Sequence, residues 1–108
     1  TTGATNVAVG RDALVDNTTA TANVAVGYGA ARNTTTGGSN TALGYLAMDV
    51  NSTGQYNTAI GFEALDANTT ANHNTAIGKG ALGANTTGAY NTVVGSNACD
   101  KNTTAMYR

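Results

Sequence analysis

Large aliphatic side chains are scarce in this chain: Leu, Ile, Val and Phe together supply 16 of 108 residues, and Ala alone supplies 20. That is too few for a conventional globular core, and such poverty normally accompanies disorder. Disordered chains of this kind also carry high net charge, whereas here only 10% of residues are charged and the formal charge is -1. Order must come from something other than a large core. The five Lys and Arg residues are scattered singly, which removes the electrostatic footprint of a nucleic-acid binder or a membrane-surface helix. No apolar run approaches a membrane span, and no basic segment followed by an apolar stretch reads as a signal peptide. Neither nucleic acid nor membrane insertion is expected of this segment. The lone Cys99 excludes an internal disulfide framework and any multi-cysteine metal site within one chain.

What is present is repetition. A motif beginning at Asn6, Asn23, Asn40, Asn57, Asn74 and Asn91 recurs every 17 residues without insertion or deletion. Each copy reads approximately Asn-(Thr/Val)-Ala-(Val/Ile/Leu)-Gly, two variable residues, Ala-Leu or similar, two more, then Asn-Thr-Thr-(Gly/Ala). Thr1 to Thr5 read as the end of a preceding copy, and the chain stops at Arg108 where a seventh asparagine is due. The expectation is one repeat domain over 1–108, cut from a longer array.

The period is too short for helix-pair repeats, and no apolar pattern persists at helical spacing. Val7-Ala8-Val9, Thr41-Ala42-Leu43, Thr58-Ala59-Ile60 and their counterparts alternate large and small, which predicts a short strand. The glycine that follows, at Gly10, Gly27, Gly44, Gly61, Gly78 and Gly95, suits a corner. A second short strand is expected at Ala13-Leu14, Ala47-Met48, Ala64-Leu65 and Ala81-Leu82, with the longer side chain inward. The Asn-Thr-Thr stretch is turn chemistry. The fold class is therefore all-β, a parallel β-solenoid of six coils, each with two strands and two turns.

Stacked coils lie about 4.8 Å apart, so six would make a rod roughly 30 Å long. Identical residues then stack on identical residues. The six opening asparagines are expected to form a ladder of side-chain amides bonded along the axis, with a second at Asn17, Asn51, Asn68, Asn85 and Asn102, interrupted where Thr34 replaces asparagine. These ladders substitute for the missing core. Each coil still carries only about two sizeable apolar side chains, which a narrow roll leaves exposed. Open strand edges and the absence of polar caps add to the case for self-association, a homotrimer being the assembly expected.

At Asn57-Thr-Ala-Ile-Gly61 and Asn74-Thr-Ala-Ile-Gly78 the chain resembles the β-roll head repeats of trimeric autotransporter adhesins. It is still more similar to the Asn-Thr-Ala-Ile-Gly-x-x-Ala-Leu repeats of phage-type tail-fibre proteins. The resemblance covers all six copies. It implies a left-handed parallel β-roll assembled as a trimer, a shaft or adhesive head at a cell surface or on a virion, outside the cell. The coil here is longer than in adhesin heads, which leaves its cross-section open between a flat roll and a three-faced triangle.

Candidate surface or interface residues follow from register. Tyr28, Tyr45 and Phe62 succeed the corner glycine in a row with Arg11, Lys79 and Ser96, and Tyr56, His73 and Tyr90 close their coils in a row with Tyr107. These rows either pack subunits together or touch a host-surface glycan or protein receptor. A lone imidazole without neighbouring carboxylates or thiols makes a poor metal site. Cys99 aligns with Leu14, Met48, Leu65 and Leu82 and reads as a small buried hydrophobe. The acidic residues Asp12, Asp16, Asp49, Glu63, Asp66 and Asp100 read as occupying varied coil positions, which builds neither a paired catalytic site nor a periodic calcium site. No cofactor and no enzymatic activity is expected. The leading function is a structural and adhesive fibre module. The alternative is a Thr-rich ice-binding solenoid, since 20 residues are Thr.

Overall fold

The computed structural model describes residues 3–105. Six three-residue strands make one sheet in sequence order: β1 (Val7–Val9), β2 (Val24–Val26), β3 (Thr41–Leu43), β4 (Thr58–Ile60), β5 (Thr75–Ile77) and β6 (Thr92–Val94). All neighbours are parallel, and each residue pairs with the one 17 places on, as Thr58 does with Thr75. The chain is an all-β solenoid, a rod with extents of 34 × 21 × 16 Å. No helix among the described residues is long and apolar enough to cross a membrane.

From β2 to β6 the middle residue points inward, an alanine in all but β6, where it is Val93, while all three residues of β1 are exposed. Ala25, Ala42, Ala59 and Ala76 are fully buried, while the larger residues on either side face outward. The opposite wall is also alanine, at Ala30, Ala47, Ala64 and Ala81, and between the walls stands a column of Leu14, Met48, Leu65 and Leu82. Two alanine walls let the coil close narrowly, so one Leu or Met per coil fills what interior remains.

The second strand expected at Ala13-Leu14 and its counterparts does not form; this stretch is a run of turns. Its column residues adopt positive φ, for instance 57° at Met48, 54° at Leu65 and 53° at Leu82, as do residues two places earlier such as Leu46 and Glu63. A left-handed residue other than glycine costs roughly 1–2 kcal/mol. Burying a Leu or Met side chain contributes about 1.5–3 kcal/mol, and the twist also aims each amide at the next coil, where Met48 N–H donates to the Ala64 carbonyl at 2.9 Å. The fold accepts the local strain because it satisfies the backbone while delivering the side chain inward.

At the corner glycines conformation and space coincide. Gly61 has φ +129°, and a Cβ there would meet the Gly78 backbone at 2.7 Å. No L-residue fits this corner without moving the neighbouring coil.

Among the described residues ten Asn and Thr side chains are buried, and the bonding of the opening row differs from the amide-to-amide pattern expected. In the opening row, from Asn6 to Asn74, each Asn Oδ1 accepts from the backbone N–H of the next opening Asn, at 2.9 Å from Asn57 to Asn40 and 3.0 Å from Asn74 to Asn57. Each Nδ2 donates to a carbonyl 14 residues on, as Asn57 does to Ala71 at 2.8 Å. The side chain thus splices backbone to backbone. The direct amide ladder is the other row, where Nδ2 of Asn68, Asn85 and Asn102 donates to Oδ1 of the asparagine one coil earlier at 2.8, 3.0 and 3.0 Å. The hydroxyls that follow, from Thr18, Thr35, Ser52, Thr69 and Thr86, each donate to a carbonyl of the next coil.

Candidate interaction surfaces

The opening asparagines and corner glycines lie inside the rod or at its turns and bond or touch other coils, so they maintain the scaffold. What meets solvent is organised in lengthwise rows, because each outward position repeats at the same angle in every coil.

The strand face has one row that is apolar throughout, Val9, Val26, Leu43, Ile60, Ile77 and Val94, beside one that is mostly threonine. Its two outward rows carry Val7 and Val9 at β1, Val24 and Val26 at β2, then Thr with Leu, Ile or Val from β3 to β6. Among exposed large hydrophobics, all except Val15 belong to these rows or to the aromatic rows that flank them in sequence.

Each aromatic row is a stack. Tyr28, Tyr45 and Phe62 lie parallel with centroids 5.4 and 5.0 Å apart. Arg11 stands 6.0 Å over Tyr28 and Lys79 6.0 Å over Phe62, so the stack ends in a cation at both ends. Tyr56, His73 and Tyr90 form the second stack, with spacings of 4.9 and 4.8 Å. Ring faces inside a stack are covered by the neighbouring rings, which leaves edges, and the tyrosine hydroxyls, for a partner. A sugar that needs an open ring face finds none at Tyr45 or His73. Tyr107 lies outside the described residues.

A second face is uncharged and hydroxylated. Thr19, Thr36, Thr53, Thr70, Thr87 and Thr104 occupy the same place in all six coils and are all exposed. This unbroken row is legible in the Asn-Thr-Thr motif, although its outward aim is not.

Charge gathers on a third side. Arg32, Asp49 and Asp66 stand in one row at 17-residue spacing, with Asp100 two coils further on, which corrects the reading of the acidic residues as unaligned. Arg32 grips Asp49 through two bonds of 3.0 and 3.2 Å, and that hydrogen bond and charge hold the guanidinium above its ordinary pKa. Asp66, the next step up, meets Gly83 instead of a cation. Burial first, then the charge of Glu63 and a hydrogen bond shared with it, then the charge of Asp49, push the Asp66 carboxyl up to about 6. A carboxyl titrating there by local crowding does not by itself make a catalytic pair.

Cys99 also departs from expectation: it is exposed, because it stands on the last described coil with no further column residue above it. Among the described residues no cavity is found, and no three or more His, Cys, Asp and Glu side chains gather to hold a metal ion. Compared with family models, curated proteins and solved structures, the chain matches none.

Proposed function

We propose that this chain is a structural and adhesive module of an extracellular fibre, a shaft or head segment on a cell surface or virion, assembled as a homotrimer of left-handed β-rolls. The observation that carries this reading is the unbroken apolar row of the strand face, from Val9 to Val94, with an aromatic stack on either side in sequence. On a rod 34 Å long such a row runs from end to end, a contiguous stripe in place of singly scattered apolar residues. Packing copies along this face supplies the large core that the composition lacks, and the area grows in proportion with every added coil. The work of such a module is to project and stiffen, without catalysis. A host-surface glycan or protein receptor would meet ring edges and threonine hydroxyls on the outer rows. Light scattering coupled to size exclusion tests the assembly: a mass near three times the 10.7 kDa chain is expected, and a folded monomer at tens of micromolar would overturn it.

One observation favours a second reading. Six exposed threonines in an unbroken row, on a face without charge, form a regular array of hydroxyls and methyls suited to ordering water, the property of an ice-binding solenoid. Against it, the threonines of the strand face pair with Leu, Ile or Val and never with a second threonine. Thermal hysteresis that disappears on replacing Thr53 and Thr70 with Tyr would support ice binding; no hysteresis in the unaltered chain would exclude it.

A further inference from the structure

The six coils are not equally joined. Coil two, residues 23–39, departs from its neighbours at two inward positions, which weakens its contacts with coil one, residues 6–22, and with coil three alike. Its column residue is Ala31, where the adjacent coils carry Leu14 and Met48. Its turn residue is Thr34, and this breaks the amide ladder: Thr34 Oγ1 and Asn17 Oδ1 are both buried without a hydrogen-bond partner. In coils three to six the same row is bonded throughout.

Side chains outside the core repair one side of coil two and not the other. Toward coil three, Arg32 grips Asp49 and Tyr28 stacks on Tyr45. Toward coil one, the side-chain bridges beyond the opening-asparagine and threonine bonds reduce to Arg11 over Tyr28 at 6.0 Å, and Arg11 turns its charge to Asp12 of its own coil. In a stack whose stability is a sum of nearest-neighbour terms, the poorest interface opens first.

We infer that the junction between coils one and two is a compliant joint, at which coil one swings away from β2 while coils two to six remain stacked. Such a joint lets a rod bend without breaking its main stack. It stands independently of what the fibre binds.

Native-state hydrogen exchange on the whole chain tests it. Amides crossing the joint include those of Leu14, Asp16, Gly27 and Gly29, which donate to Ala30, Arg32, Val9 and Arg11. The control is the equivalent junction at the other end, crossed by Leu82, Gly95 and Asn97, which donate to Ala98, Ile77 and Lys79. It too has one coil between it and a terminus, and coil one is further tied by bonds to Gly3 and Ala4, so fraying does not favour the joint. At the joint, exchange is expected to be faster by about tenfold or more. Thr34→Asn, alone and together with Ala31→Leu, should slow the joint amides toward the control while leaving the control unchanged. Equal exchange at the two junctions would overturn the inference, as would joint amides that keep their rates in the single repaired variant.

Discussion

Two rows of asparagine run the length of this rod, built from the same side chain in the same dry interior, yet one is unbroken and the other is not. The difference lies in what each side chain bonds. An opening asparagine links a backbone N–H to a backbone carbonyl, so its loss leaves an obligatory main-chain N–H unpaired, the carbonyl keeping a bond from the turn asparagine where one is present. A turn asparagine links mainly to another asparagine, so a substitution there orphans side-chain atoms, as Asn17 Oδ1 and Thr34 Oγ1 show. Repetition is therefore kept most strictly where the side chain completes the backbone.

The largest effect is expected on cutting the first row. Asn57→Ala leaves the Asn74 N–H without its acceptor, while the Ala71 carbonyl keeps its bond from Asn68; with an unsatisfied buried N–H costing about 1–3 kcal/mol and the second lost bond about 0.5–1.5 kcal/mol, urea unfolding should show a loss of roughly 1.5–4.5 kcal/mol. Asn68→Ala sharpens the contrast. It removes the links to Asn51 Oδ1 and from Asn85 Nδ2, but Asn85 still donates to Gly88, and the same titration should show a smaller loss, of about 1–3 kcal/mol. Equal losses would erase the distinction between the rows.

Repair should work in the opposite direction. Thr34→Asn places a donor beneath which Asn17 Oδ1 waits and an acceptor within reach of Asn51, whose amide now donates only to Gly54. A gain of about 1–2 kcal/mol is expected in the urea midpoint. A loss would mean that the backbone of coil two has settled around threonine.

The smallest effect concerns charge outside the rows. With its folded pKa raised to about 6 above an unfolded value near 3.9, Asp66 favours folding in its protonated form. Its contribution is full below the unfolded value and is lost as pH rises through about 6. Because Asp66 is only half-buried, solvent screening limits this to about 1 kcal/mol or less. Asp66→Asn should therefore raise the melting temperature at pH 7.5 but change it little at pH 4. A variant that melts with the same offset at both pH values would remove Asp66 as the cause.

Much of this architecture was legible because one period governs everything. Six copies in register dictate parallel strands, lengthwise rows and stacked rings before any coordinate is known, and Tyr28, Tyr45 and Phe62 stack because they recur at that spacing. The false second strand has a local cause: an Ala-Leu pair reads as alternation, whereas the left-handed turns announce themselves only weakly, through Asp12, Gly29, Gly80 and Asn97 two residues before the column. The Arg32, Asp49 and Asp66 row was hidden because Val15 and Gly83 share its register, so no motif repeats.

By itself, then, the sequence determined the coil length, the parallel pairing and which residues share a row, because stacking maps each residue onto its counterpart 17 places away. Only the tertiary structure decided which side of each row faces in. Alternation of large and small has two phases, and the choice depends on the width of the space being filled. Here the opposite alanine wall and the leucine column stand so close that alanine turns inward, which sends valine and isoleucine outward onto the exposed face of the rod.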